Sequence, residues 1–237
     1  MTVKPIFFFD CDNCLYSKDL NVNNLMKEKI QEYFVNIVGV PREEVVQIQR
    51  KYYEQYGLSL RGLSKHHNVD PLHFDEQVDQ ALPLDELILR DDELKNMLRT
   101  LNCRKWVFTN AYKIHALRCL KLLGIENEFE GMTYTNYTVQ DFNCKPEPES
   151  FLRAMKDAGV TDNTPIYFVD DSSLNIDAAQ KLGWITVHVA EDASKSNHGD
   201  YQINDIHELP NVLPELWDAI HHQMKPRKQT VAITTAA

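Results

Sequence analysis

Short apolar runs recur along the chain and are separated by stretches with helical spacing of apolar residues. The run Ile6–Phe9 is apolar at every position and stops at Asp10, which is typical of a central strand buried on both faces of a sheet. Four further runs predict strands at 105–109, 132–135, 166–169 and 185–189.

Amphipathic segments lie before and between these later strands. Their apolar spacing, with stop signals such as Gly124 and Gly183, predicts helices at 92–101, 113–123, 147–158 and 173–182. Short apolar strands that alternate with helices favour right-handed βαβ units, in which the strands are parallel. The pattern therefore predicts an α/β fold, with a Rossmann-like parallel sheet and helices on both faces.

A different pattern follows the first strand, where only helical periodicity is found. Helices are predicted at 23–38, 42–56, 58–66 and 71–82, with glycine and proline at their ends. We therefore expect an all-helical subdomain, residues 18–85, inserted into a core made of 1–17 and 86–222. Residues 223–237 have no periodic apolar face, and we expect a flexible tail there.

The composition is that of a globular protein and narrows the choice of partners. Of 237 residues, 43% are hydrophobic and 25% are charged, with a net charge of −10. This charge disfavours broad binding to nucleic acid or to an anionic membrane surface, and we expect neither partner. No apolar run approaches the ~20 residues that span a bilayer. A small phosphorylated molecule is compatible with this charge, and no pattern indicates an oligomeric state.

Cysteine usage bears on the compartment of the protein. The five cysteines are odd in number and scattered, and the first residues lack the layout of a secretory signal. We therefore expect a reduced intracellular location, cytoplasmic with the nucleus also open. Cys11 and Cys14 form a C-x-x-C pair, but without a second cysteine pair we do not expect redox or metal use there.

Polar residues that could carry chemistry follow the predicted strands. The ligand site of an open α/β sheet lies beyond the carboxyl ends of its strands, so these residues are expected to meet. They are Asp10 and Asp12 after the first strand, Thr109 and Asn110 after the second, Asp170 and Asp171 near the end of a later one, and Lys145 in the intervening segment CKPEPESF.

The four aspartates predict a cation site. Carboxylates gathered within a few ångströms repel one another and would take up protons unless a cation joined them. With oxygen ligands alone, and with no histidine near these acids in the sequence, Mg²⁺ fits best. The hydroxyl of Thr109, a main-chain N–H at Asn110 and the ammonium of Lys145 are suited to phosphate.

Four segments together resemble a known family. FFFDCDNCLY, VFTNAYK, CKPEP and FVDDSSLNI resemble, in order, the four motifs of the haloacid dehalogenase-like (HAD) phosphohydrolases. The inserted helical block resembles the C1 cap of that family, which closes over the site and helps to select substrates. The resemblance covers the whole predicted core.

The resemblance implies a role for each matched residue. Asp10 would be the nucleophile that forms an aspartyl-phosphate. Asp12 would protonate the leaving group and then activate water. Thr109 and Asn110 would hold the phosphoryl oxygens, and Lys145 would offset their charge.

The resemblance also implies how the metal is held. Mg²⁺ would be bound by the Asp10 carboxylate, the Asp12 carbonyl and Asp171, with Asp170 as a further ligand or as an acceptor that supports the ligands. Asn175 stands where some members carry another acid. Asn13 and Cys14 replace the usual Gly and Thr, which affects loop packing more than chemistry.

A narrower resemblance lies in YYEQYGLSLRGL (52–63), LRCLKLLGI (117–125) and DNCLY (12–16). These segments are similar to the fungal pyrimidine 5′-nucleotidases, which implies nucleoside 5′-monophosphates such as UMP and CMP as substrates. Arg61 and Lys65 are the cap residues expected to reach the substrate, although exposed cations of a polar lid would look the same.

Other functions stay open at this point. The substrate could be another small phosphate ester, such as a lysophosphatidate or a sugar phosphate, or the enzyme could be a phosphomutase. A protein that keeps the fold and only binds ligand is a further alternative, against which the complete set of motif residues counts.

Overall fold

A six-stranded sheet, parallel throughout, forms the centre of the protein. The computed structural model describes residues 3–139 and 141–217. The strands are β1 (Ile6–Phe9), β2 (Arg104–Phe108), β3 (Gly131–Thr133), β4 (Ile166–Asp170), β5 (Ile185–Val189) and β6 (Tyr201–Ile203). They lie in the order β3-β2-β1-β4-β5-β6. The strand order reverses at β1, which places the carboxyl ends of β1, β2 and β4 side by side.

Helices occupy the segments between and before the later strands. They are α1 (Val22–Tyr33), α2 (Arg42–Tyr56), α3 (Ser59–His67), α4 (Pro71–Gln77), α5 (Leu84–Leu87), α6 (Asp92–Thr100), α7 (Lys113–Leu123), α8 (Pro148–Asp157), α9 (Ser173–Lys181) and α10 (Leu209–Val212). The α/β class and the Rossmann-like arrangement predicted from the sequence are confirmed.

The side chains of β1 alternate between two apolar clusters. Phe7 and Phe9 pack with residues of α6 and α7 on one face, whereas Ile6 and Phe8 pack with residues of α8 and α9 on the other. Because both faces are covered, β1 is apolar at every position, and its end is fixed firmly in the molecule.

Between Lys18 and Asp85, a segment described in full, the chain forms helices and loops but no strand. The predicted helix 23–38 continues from α1 as a π-helical turn, Phe34–Val38. The helix predicted to run to 82 ends at Gln77, because the Gln80 N–H bonds to the Asp75 carbonyl five residues back, at 2.9 Å. The short strand β6 had no clear apolar run and was not predicted.

The helical block has an apolar cluster of its own. It comprises Tyr33, Phe34, Val45, Tyr52, Leu60, Leu63, Phe74 and Val78, together with Tyr137 and Phe142 from the loop after β3. Val22, Leu82 and Leu84, near the ends of the block, pack in the cluster of the sheet instead. The boundaries at 18 and 85 stay a prediction, and the expected tail at 223–237 lies outside the described residues.

Among the described helices, none combines the length and the apolar character needed to cross a bilayer.

Candidate active site

Lys145 lies at the centre of the strand ends and is completely buried. Its ammonium donates to Asp10 Oδ1 at 2.7 Å, to Asp170 Oδ2 at 2.6 Å and to the Phe108 carbonyl at 2.7 Å. Burial lowers the pKa of Lys145, but the two carboxylates outweigh it and hold the pKa above its usual value. The three strand ends are thus joined by one fixed positive charge.

Asn110 holds the backbone of Lys145 in place. Its side-chain nitrogen donates to the Lys145 carbonyl at 2.8 Å, and its side-chain oxygen accepts the Lys145 N–H at 2.7 Å. The hydroxyl of Thr109 accepts the Ala111 N–H at 3.0 Å and so shapes the turn after β2. The amide of Asn110 therefore positions the lysine, a use that the sequence does not distinguish from phosphate binding.

Asp10, Asp170 and Asp171 bring carboxylate oxygens within 4.8 Å of one another. Asp170 is fully buried, and besides Lys145 it accepts the Ser172 N–H at 2.8 Å and the Asn175 side-chain N–H at 3.1 Å. Asp171 is more open and lies 3.6 Å from the Lys18 ammonium. Asn175 thus donates to an acid of the cluster.

The acids of this cluster are crowded. Burial raises the pKa of Asp10 well above its usual value, in spite of Lys145. Burial and the neighbouring Asp170 raise the pKa of Asp171 to about 7. A hard divalent cation would relieve both effects, and an all-oxygen set suits Mg²⁺. The residues present therefore fit the expected ion.

Asp12 lies in different surroundings from Asp10. Its Oδ1 accepts the Tyr16 hydroxyl at 2.7 Å and lies 2.6 Å from His115 Nε2. Burial lowers the pKa of His115, but Asp12 raises it by more, to well above its usual value. Burial would raise the pKa of Asp12, but His115 and Tyr16 reverse this and lower it. The two groups form a buried ion pair.

The expectation that no histidine lies near these acids was wrong. His115 is 103 positions from Asp12, and His188 Nε2 lies 3.2 Å from the Asp171 carbonyl oxygen. His115 comes from helix α7, far from Asp12 in sequence, and His188 comes from β5, the strand beside β4. A signal for His115 was available, because it shares the buried face of α7 with Cys119 and Leu123 at helical spacing.

The cap meets this site at two points. The Tyr53 hydroxyl lies 2.9 Å from Ser172 Oγ. Burial raises the pKa of Tyr53, and Asp171 and Asp170 add to the increase. The backbone of Gly57, at φ +73, passes so close to Lys145 that a Cβ there would lie 2.1 Å from its carbonyl oxygen. Neither contact was expected from the sequence.

Arg61 and Lys65 lie together, and in the described part of the chain neither forms an ion pair with one of the four motif aspartates. The buried Arg61 guanidinium donates to Glu147 at 2.9 Å and to Asn143 at 3.3 Å. Arg61 and Lys65 also form ion pairs with Asp141, at 3.5 and 3.4 Å. Both residues line a cavity of about 450 Å³ between the cap and the loop after β3, and none of the four motif aspartates lines it. The structure thus places Arg61 in a contact between cap and core.

Comparisons with known proteins agree with this geometry. Residues 5–183 match the family model of the haloacid dehalogenase-like hydrolases. Phosphate metabolism protein 8 of Saccharomyces cerevisiae is 33% identical over 233 residues, which cover 89% of this chain and 73% of that protein. Glyceraldehyde 3-phosphate phosphatase of Methanocaldococcus jannaschii is 24% identical over 234 residues, covering 88% and 96%.

Solved structures share the fold. A HAD phosphatase from Thermococcus onnurineus has a TM-score of 0.56 at 20% identity, covering 88% of this chain and 97% of its own. L-2-haloacid dehalogenase from Xanthobacter autotrophicus has a TM-score of 0.56 at 12% identity, covering 90% and 99%. The resemblance of the four motifs is thereby confirmed: this chain belongs to the haloacid dehalogenase-like hydrolase family, and the curated relatives it matches are named for phosphate metabolism and for phosphatase activity.

Proposed function

We propose that this protein is a Mg²⁺-dependent phosphomonoesterase that hydrolyses nucleoside 5′-monophosphates, UMP and CMP above all, through an aspartyl-phosphate. One observation carries the proposal: Asp10 and Asp12 lie in one loop, the first bound to Lys145 and the second to His115. A nucleophile and a proton donor of fixed position are what the hydrolysis of a phosphate ester requires.

The oxygen cluster is the proposed metal site. Asp10 and Asp171 would hold Mg²⁺ with the Asp12 carbonyl, and Asp170 would support them, since its oxygens already accept from Lys145, Ser172 and Asn175. When bound, the ion would withdraw charge from the phosphoryl oxygens and offset the repulsion between phosphate and nucleophile.

Asp10 begins the reaction. Lys145 holds Asp10 Oδ1, which leaves Oδ2 to attack phosphorus in line with the leaving oxygen. The Asp10–phosphorus bond forms as the ester bond breaks, and the leaving alkoxide takes a proton from Asp12. That proton reaches Asp12 from the His115 imidazolium, whose Nε2 lies 2.6 Å from Asp12 Oδ1, and His115 is left neutral.

The second half of the reaction releases phosphate. The Asp12 carboxylate accepts a proton from water and passes it back to His115, while the water oxygen attacks phosphorus and breaks the bond to Asp10. The sum is one ester and one water converted into one alcohol and one phosphate. In both halves of the reaction, the fixed ammonium of Lys145 would offset the negative charge of the phosphoryl group, and the hydroxyl of Thr109 would bind one of its oxygens.

Asp12 favours a phosphate ester over a haloacid as substrate. The fold is shared with a dehalogenase, but a halide leaves without a proton and needs no acid. Here a carboxylate stands beside the nucleophile, held by His115 and Tyr16. Such an arrangement suits an alkoxide leaving group.

The cavity between cap and core, which none of the four motif aspartates lines, bears on the substrate only through the chemistry of the groups that line it. It is lined by the cations Arg61 and Lys65 and by the rings of Tyr137 and Phe142. Cations and aromatic rings suit a nucleotide better than a long acyl chain, which disfavours a lysophosphatidate. A small sugar phosphate is the second candidate, favoured by the relative named for glyceraldehyde 3-phosphate. A cytoplasmic location stays a prediction.

A panel of substrates tests the proposal. We expect kcat/KM with Mg²⁺ to be at least about tenfold higher for UMP and CMP than for AMP, glyceraldehyde 3-phosphate, lysophosphatidate and p-nitrophenyl phosphate, since a few well-placed contacts are worth ~1.4 kcal/mol or more. We also expect EDTA to remove the activity and added Mg²⁺ to restore it. Similar values across the panel would refute the nucleotidase but not the phosphatase, and hydrolysis insensitive to EDTA would refute the metal.

A further inference from the structure

A cluster of thiols adjoins the Asp12–His115 pair and has no part in the proposed reaction. Cys11 lies between the two catalytic aspartates of the loop, and its sulfur, the Cys119 sulfur and an Asp12 carboxylate oxygen lie within 4.8 Å of one another. Cys119 Sγ is 3.6 Å from His115 Nε2, the same nitrogen that contacts Asp12 Oδ1 at 2.6 Å. Two sulfurs and one oxygen thus form a close group, and the His115 nitrogen contacts two of its members.

Two spacings among these donors can be compared with those of a tetrahedral zinc site. With Zn–S of ~2.3 Å and Zn–N of ~2.0 Å, the ligand atoms of such a site lie about 3.3–3.8 Å apart. The 3.6 Å between Cys119 and His115 already has this value. The contact between His115 and Asp12, 2.6 Å now, would lengthen by about 0.7 Å to match. Small side-chain rotations at the open end of Asp12 can supply this change.

We propose that Cys11, Asp12, His115 and Cys119 form a second metal site, which binds Zn²⁺ and stops the reaction by engaging the carboxylate of Asp12. The site differs in chemistry from the oxygen cluster of Asp10, Asp170 and Asp171. Thiolate and imidazole select Zn²⁺, whereas carboxylates alone suit Mg²⁺. The two ions would therefore occupy opposite sides of the same loop.

The site has an entrance and a balanced binding reaction. The side chain of Asp12 is 22% exposed, whereas that of His115 is 1% exposed, so the ion would enter past Asp12. The thiols of Cys11 and Cys119 and the Nε2 atom of the His115 imidazolium would each release a proton to solvent. His115 would bind through Nε2 and keep its proton on Nδ1, which is buried and has no partner among the described residues. No oxidant or reductant takes part.

The partner of Cys11 is therefore not the one that the sequence suggests. Within the C-x-x-C pair, Cys14 Sγ lies 3.7 Å from the Val169 carbonyl oxygen instead. His115 and Cys119 are four residues apart on α7, so they project from one face of the helix towards Cys11. This arrangement makes Cys14 a matched control.

Metal binding in the presence of excess Mg²⁺ tests the proposal without any measurement of turnover. We expect equilibrium dialysis to give one Zn²⁺ per chain, and Co²⁺ to give the sulfur-to-metal charge-transfer absorption of a thiolate site. Cys11→Ala and Cys119→Ala should each weaken Zn²⁺ binding by at least about 100-fold, since loss of a mere supporting contact costs ~10–100-fold. Cys14→Ala should bind as the wild type does.

Three results would overturn the site: absence of the charge-transfer band, undiminished binding in Cys119→Ala, or loss of binding in Cys14→Ala. Cys119→Ser, close to cysteine in size, repeats the test if the alanine variant does not fold. The wild-type absorption spectrum needs no variant at all.

The effect on turnover rests on the proposed function and is measured apart from binding. At saturating Mg²⁺, Zn²⁺ should abolish phosphatase activity of the wild type, and Cys119→Ala, compared with its own zinc-free rate, should need at least about 100-fold more Zn²⁺. Inhibition relieved by more Mg²⁺ would place Zn²⁺ in the oxygen cluster and refute the proposal. Zinc binding in a protein without phosphatase activity would refute the proposed function and leave the site standing.

Discussion

Asp10 and Asp12, the two aspartates proposed as catalytic, lie in different electrostatic environments, although one residue separates them. On the Asp10 side, three carboxylates lie together: Asp10 and Asp170 contact the buried ammonium of Lys145, and Asp171 lies 3.6 Å from the Lys18 ammonium. On the Asp12 side, one carboxylate faces one histidine whose pKa is raised well above its usual value. The first side has an excess of negative charge, and the second is balanced.

This difference suits the two aspartates to different tasks, cation binding on the Asp10 side and proton transfer on the Asp12 side. A cluster with excess negative charge attracts a cation and, with it, a phosphate. A balanced pair has little need of an ion and can store and return a proton. Asp10 Oδ1 contacts Lys145, whereas Asp12 Oδ1 contacts Tyr16 and His115, so one short loop serves both environments.

Removing the Asp10 carboxylate is expected to have the largest effect. Asp10→Asn keeps the size of the side chain but not the nucleophile, so kcat should fall at least ~10⁴-fold. Turnover of UMP and acid-quench trapping of a phosphoenzyme measure this. Circular dichroism serves as the folding control, and a variant that retains more than a tenth of the wild-type rate would exclude Asp10 as the nucleophile.

Removing the Asp12 carboxylate should cost less, and the loss should depend on the substrate. We expect Asp12→Asn to lower kcat ~10²–10³-fold for UMP, whose alkoxide needs a proton. The loss should be smaller for p-nitrophenyl phosphate, whose phenolate leaves unaided. Equal losses for the two substrates would show that Asp12 does not act as the acid.

Asp79, a residue of the cap, interacts electrostatically with His115 on the Asp12 side of the loop. We expect its substitution to have the third largest effect, which is on the free energy of unfolding. Asp79 is 5% exposed. Its burial raises its pKa to about 7, with His115 opposing and Asp75 adding to the increase. An acid with a higher pKa in the folded chain binds its proton more tightly there, so stability falls as pH rises from about 4 to about 7.

Asp79→Asn should remove that dependence. Relative to the wild type, its free energy of unfolding should rise by ~2 kcal/mol between pH 5 and pH 7. Urea unfolding at the two pH values measures the difference. A constant difference would mean that Asp79 is ionised throughout and that His115 compensates two acids instead of one.

The smallest effect is expected for His115→Gln, which keeps a hydrogen-bond donor but removes the charge. We expect kcat to fall about tenfold and the pH profile of kcat to move to higher pH, because His115 lowers the pKa of Asp12. Tyr16→Phe, which removes only a neutral hydrogen bond, is the control and should move the profile less. If neither variant changed the pH profile of kcat, His115 would have no part in the proton transfer.

The sequence predicted what depends on neighbouring residues along the chain. Strands and helices were placed within a few residues, because apolar runs and glycine or proline signals are local. The meeting of Asp10, Lys145 and Asp170 was also predictable, since the carboxyl ends of adjacent parallel strands must coincide.

What the sequence missed depends on the rotation and packing of helices. His115 reaches Asp12 because α7 turns that face inward, and Tyr53 of α2 reaches Ser172, which follows β4. Arg61 meets Glu147 across 86 positions of sequence. Such contacts join local elements whose orientation is set by the whole core, so a local pattern indicates that His115 is buried but not which residue it meets.

The close contact between Gly57 and Lys145 determines the distance between the cap and the loop that carries Lys145. The two segments of the chain meet backbone to backbone. A Cβ at position 57 would lie 2.1 Å from the Lys145 carbonyl oxygen, so no change of rotamer could relieve the overlap. Any larger residue would wedge the cap away from the loop that carries the buried ammonium. The absence of a Cβ at Gly57 therefore determines two things together: how closely the cap approaches the core, and where the ammonium of Lys145 lies.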